Sequence, residues 1–167
     1  MRSPVLLALA AAAALAAGSG CVDTDPNIFV SVELLDPTVG VENAALGTAV
    51  TGGFLLDLHL GARAADGTTV NVQGFELISE DQNTIIVPSL PLSANGHTLP
   101  IVVEPGTDES VEIVIDLGDD LLAKEVGQNL CNFGSVRYRG SITDSLRGTT
   151  VPVLTDPVQV TGCAPQP

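Results

Sequence analysis

Along most of the chain apolar residues recur at every second position, in short runs. Phe54, Leu56, Leu58 and Leu60 fall on one side of an extended segment whose other side carries Asp57 and His59, the pattern of a strand with one buried face. Val111, Ile113, Ile115 and Leu117 repeat it against Glu112 and Asp116, as do Val136, Tyr138 and Ile142 against Arg137, Arg139 and Ser141. Further β-rich runs predict strands over 28–35, 70–79, 84–87, 99–104, 150–154 and 158–161. Within 70–79 the apolar parity changes, from Val70 and Val72 to Phe75 and Leu77, with Gly74 between them. A one-residue shift at a glycine predicts a β-bulge.

Turn chemistry separates these runs. Asp66-Gly67, Asn95-Gly96, Pro105-Gly106 and Arg147-Gly148 are spaced as short antiparallel connections require. One helix is expected near 119–126, capped by Asp119 or Asp120 and ended by Gly127. Many short strands with one brief helix predict an all-β domain, an antiparallel two-sheet sandwich of immunoglobulin-like or fibronectin III-like form. The tryptophan that marks true immunoglobulin domains is absent.

The first twenty residues follow another pattern. Arg2 is followed by an unbroken apolar run from Val5 through Ala17 and then by Gly18-Ser19-Gly20, the layout of a secretory signal peptide. The run falls short of the roughly 20 residues that cross a bilayer. Residues 21–27 read as a polar tether, 28–163 as the folded domain and 164–167 as a short tail.

Composition adds a strong constraint. The net charge is -14, and all twenty acidic residues lie beyond residue 20. An exported domain this acidic is repelled by nucleic acid and by anionic lipid headgroups. Of three cysteines, Cys131 and Cys163 lie in the folded part, where two thiols outside the cytoplasm tend to oxidise to a bridge. By loop-closure reasoning such a bridge contributes roughly 3 to 4 kcal/mol, and it is expected to join the last strand to an earlier one. Cys21 is then the odd thiol.

Leu15-Ala16-Ala17-Gly18-Ser19-Gly20-Cys21 resembles the lipobox of bacterial lipoproteins, with small residues before the cysteine and with Gly18 where an aliphatic residue is usual. The resemblance implies acylation of Cys21 and a lipid anchor in the bacterial envelope. Val22 in place of an aspartate favours the outer membrane over inner-membrane retention. The alternative is ordinary cleavage near Ala17 or Gly20 and a secreted, soluble protein.

A second resemblance spans Phe54 to Val153. Phe54-Leu55-Leu56-Asp57-Leu58-His59-Leu60, Gly74-Phe75-Glu76-Leu77, the run Ser110 to Leu117, Val136 to Ile142 and Thr149 to Val153 are similar to the LEA type 2 domain, also called the water-stress and hypersensitive-response domain. Ala64-Ala65-Asp66-Gly67 stands where that family carries Asn-Pro-Asn-Pro. The resemblance implies an immunoglobulin-like sandwich that protects the envelope under stress or contacts other envelope components.

Chemistry-bearing constellations are sparse. His59 and His97 are the only histidines and lack a second ligand at metal spacing. Asp116 to Asp120 and Thr107 to Ser110 are rich in carboxylates but lack EF-hand spacing. No nucleophile elbow surrounds a serine, and no phosphate-binding glycine loop is present. Arg137 and Arg139, flanking Tyr138, are expected on an exposed face, paired with cross-strand carboxylates or forming a spot for an anion or a partner. The sequence thus predicts no metal, no cofactor and no catalysis, but a lipid-anchored binding or structural module. An accessory subunit offering an edge strand to an envelope or transport complex is the alternative. A hydrolase is the remote third reading, and requires a pocket where a histidine meets a carboxylate and a hydroxyl.

Overall fold

The computed structural model describes residues 27–163. The signal segment, Cys21, all of the tether but Asn27, and the tail lie outside them.

Ten strands and one helix occupy the described residues: β1 (Ser31–Asn43), β2 (Thr48–Leu60), β3 (Thr68–Ser79), β4 (Ile85–Val87), β5 (Leu92–Ala94), β6 (Ile101–Val103), β7 (Thr107–Ile115), α1 (Lys124–Phe133), β8 (Ser135–Asp144), β9 (Thr149–Leu154) and β10 (Val158–Thr161). The all-β expectation holds. The strands form one curled, hydrogen-bonded path in the order β4-β3-β8-β10-β1-β2-β7-β5, with β6 added to β3 and β9 to β8. Pairing is not purely antiparallel. β1 and β10 run parallel, matching Val39 with Val160 and Gly40 with Thr161.

Alternation explains which faces close on the core. Phe54, Leu56, Leu58 and Leu60 of β2 and Val111 and Ile113 of β7 are buried, and so are Leu77 of β3 and Val136, Tyr138 and Ile142 of β8. All belong to one cluster. Phe54 lies at its centre, with its ring centroid 5.2 Å from those of Phe75 and Tyr138, stacked on the first and edge-on to the second. The bulge expected at Gly74 is present: the β3–β8 register shifts between Gln73 and Glu76, and Gly74 has φ 60°.

A second bulge divides β1. Its register against β2 shifts between Leu35 and Thr38, where Asp36 has φ 48°. Opposite it, Gly52 has φ 130°, and a Cβ there would sit 2.1 Å from the Thr38 carbonyl oxygen, so a side chain cannot be accommodated. The buried Tyr138 hydroxyl donates to that same carbonyl at 2.7 Å. A core side chain thus fixes the bend.

The helix departs from its expected bounds. Neither Asp119 nor Asp120 caps it; the N-cap is Ala123, which makes no side-chain cap bond. The cause lies just before it, where Leu122 exchanges backbone hydrogen bonds with Thr48 at 2.8 and 2.9 Å. That bridge holds the chain extended, so the helix begins later. Gly127 lies inside α1 rather than ending it, buried against the start of β2, where a Cβ would fall 2.6 Å from Thr48 Cγ2. Gly134, at φ 69°, follows the last helical residue.

Three of the four expected turns connect strands that are not neighbours. Only Arg147-Gly148 joins paired strands, β8 and β9. Asp66-Gly67, Asn95-Gly96 and Pro105-Gly106 carry the chain between strands that pair elsewhere.

Candidate functional site

The sequence-predicted residues are placed as follows. Cys131 and Cys163 form a disulfide with Cα atoms 5.5 Å apart. It joins the residue range just after β10 to helix α1 rather than to an earlier strand. Arg139 pairs with Glu76 at 2.6 Å across the β3–β8 ladder. Arg137 takes backbone carbonyls instead of a carboxylate, donating to Thr155 O at 2.7 Å and to Glu80 O at 3.3 Å. Both guanidinium groups are therefore engaged within the domain.

Beside Arg137 lies a shallow hollow lined by Ser79, Glu80, Asp81, Phe133 and Ser135. Asp81 caps the β3–β4 turn. The Ser79 hydroxyl, at 2.5 Å, and then Asn83 hold its carboxyl below the usual carboxylate range.

His59 Nδ1 lies 2.5 Å from Asp108 Oδ1. Ser31 and Ser110 line the same open hollow, so a histidine, a carboxylate and hydroxyls do meet. Their protons are directed elsewhere: Ser110 donates to the Asp57 carboxylate and Ser31 to the His59 backbone carbonyl. Asp108 is 85 % exposed, so water screens the pair, unlike the enclosed groups of a serine hydrolase. His97 is exposed in the Asn95-Gly96 turn. Among the described residues no three His, Cys, Asp or Glu side chains gather to hold a metal ion, and no helix is long and apolar enough to cross a membrane.

The feature that sequence reasoning missed is a groove of about 490 Å³ between the first half of β1 and β9. Its origin is topological. β9 and β10 follow one another along the same edge of β8, opposite β3. β1 pairs with β10 only at Val39 and Gly40. Before that point β1 and β9 separate, leaving a wedge with Ile142 at its base. Ser31–Leu35 is paired with β2 on one side alone, and β9 with β8 on one side alone. Val32, Leu34 and Val153 reach into the wedge and are only partly buried against the core. Leu35 and Leu154 remain 37 % and 38 % exposed on its rim.

Charge at the wedge is mainly negative. Glu33 and Asp156 are exposed on the rim. Asp144 is buried and already satisfied, accepting from Val30 N at 3.2 Å and from the Thr68 hydroxyl. Arg147, the one cation in the lining, lies over the Phe29 ring, 5.3 Å from its centroid.

Compared with models of protein families, with curated proteins and with solved structures, the chain matches none.

Proposed function

We propose that this protein is a non-catalytic, lipid-anchored module of a bacterial envelope, held by acylated Cys21 in the outer membrane and acting through binding or structural contact. The observation that carries the reading is the partition of the three cysteines. Cys131 and Cys163 are joined to each other, which leaves Cys21, directly behind an apolar leader, as the odd thiol. The domain is read as an immunoglobulin-like sandwich in which β5, β7, β2 and β1 face β4, β3, β8 and β9 across the core, with β10 shared. By its resemblance to LEA type 2 domains, its role is stress protection of the envelope or contact with other envelope components.

The test is the intact mass of the protein from its own membrane fraction, with and without reductant, beside a Cys21→Ser variant. The expected mass is residues 21–167 plus a diacylglyceryl group, rising by two hydrogens on reduction. An unmodified soluble chain would remove the anchor from the proposal. The second reading, an accessory subunit that offers a strand edge to a partner, is favoured by the unpaired edges of β1 and β9.

A further inference from the structure

We infer that the wedge between β1 and β9 is a docking site for an extended peptide segment of a partner protein, one with aliphatic residues at alternate positions and basic residues between them. The inference deepens the accessory-subunit reading and rests on it.

The backbone supplies the first argument. Ser31–Leu35 carries unpaired N–H and C=O groups along its outer edge, which an added strand satisfies. Soluble proteins usually blunt such edges, and other edges of this fold follow that rule. β4, β5 and β6 are three residues each. The outer stretch of β7 before its pairing with β5 carries Asp108 and Glu109. The first half of β1 is longer than those strands and carries a single charged residue, Glu33. β9 contains Pro152, which has no N–H to donate, so the guest forms its ladder with β1, and β9 serves as the facing wall.

Side chains give the alternation. Along β1, Val32 and Leu34 turn inward while Ser31, Glu33 and Leu35 are exposed. A guest strand follows the same period of two. Its inward residues meet Val32, Leu34, Val153 and Ile142, and must be aliphatic. Its outward residues lie beside Glu33 and near Asp156, and basic side chains there meet opposite charge. A second copy of this chain is a poor guest because its net charge is -14.

The test is to pan a library of short random peptides against the purified full chain and titrate the recovered peptides into isotope-labelled protein. Expected are peptides with alternating aliphatic and basic residues that shift the amide signals of Ser31–Leu35 and of Val151, Val153 and Leu154. Val153→Lys is expected to weaken them by about tenfold or more, as loss of a central anchor does. Should Val153→Lys disturb folding, the exposed Glu33→Arg carries the test: it weakens basic peptides and leaves the spectrum otherwise folded. Failure to recover peptides, acidic or helix-patterned peptides, shifts confined to another face, or indifference to both variants would overturn the inference. So would concentration-dependent self-association that Glu33→Arg abolishes, which assigns the wedge to a second copy. Binding is measured alike on Cys21→Ser, so a failed lipid anchor and a failed groove give separate results.

Discussion

The two halves of β1 share one strand but differ in what surrounds them. From Thr38 to Asn43 the strand is paired with β2, flanked by β10 at Val39 and Gly40, and contributes buried Val39 and Val41. From Ser31 to Leu35 it is paired on one side, and no residue is fully buried. The change occurs at the Asp36 bulge, which Gly52 accommodates and Tyr138 holds by its hydroxyl. Closure at one end is thus reinforced by a disulfide beyond β10 and by the docked helix, whereas the other end is held by its ladder to β2 and, just before it, by the bond from Val30 N to Asp144. A half-strand held at Val30 and at the bend presents its unpaired edge in a fixed position, which lowers the ordering cost of adding a partner strand.

Opening the closed half is expected to have the largest effect. Cys163→Ser should lower stability by roughly 3 to 4 kcal/mol by loop-closure reasoning, read as a reduced midpoint in urea unfolding. An unchanged midpoint would mean that β10 is held without the bridge. Next comes a matched pair of truncations within the same strand. Val41→Ala should cost about 2 kcal/mol and Val32→Ala less than about 1 kcal/mol, because only the first leaves an enclosed cavity. Equal losses would erase the contrast between the halves.

Tyr138→Phe, at the bend, should cost about 1 kcal/mol for the lost hydrogen bond and should also change the alkaline limb. Burial pushes the Tyr138 phenol above its ordinary value of 10.0. The unfolded chain therefore releases this proton first, and the stability it contributes is complete below pH 10 and declines as pH rises above it. The Phe variant should lack that portion of the decline, measured as urea midpoints across the alkaline range. The smallest effect is expected at Glu33→Gln, on the open rim, within about 0.5 kcal/mol of the parent; a larger loss would show that the exposed half supports the fold.

Much of the buried face was legible because alternation is local. Phe54, Leu56, Leu58, Leu60, Val111, Ile113, Tyr138 and Ile142 declare themselves by period two and are all buried. The second half of β1 and the first half of β2 were not legible, since Asp36-Pro37 and Gly52-Gly53 interrupt the patterns on either side of the bend. β5, Leu92-Ser93-Ala94, escaped because it lacks the β-branched residues that marked the equally short β4 and β6. Turn residues indicated where the chain bends but not whether it returns to a neighbouring strand, so Asp66-Gly67 and Pro105-Gly106 read as hairpins although they join unpaired strands. The helix start was misplaced because the Thr48–Leu122 bridge, a contact remote in sequence, overrides the capping signal of Asp119 and Asp120. The groove has no sequence signature, as it depends on which strands do not meet.

The parallel contact between β1 and β10 also sets an order in time. Val39 must wait for Val160, and the Thr161 hydroxyl reaches the Val39 carbonyl across 122 positions of the chain. Contacts of such separation form late. A chain emerging from its N-terminus therefore holds an incomplete sheet until its last strand arrives, and Val39 and Val41 stay exposed to unintended pairing in the interval. Loss of even the final few residues of β10 would leave the first strand unclosed, which makes the C-terminal end the step that completes folding.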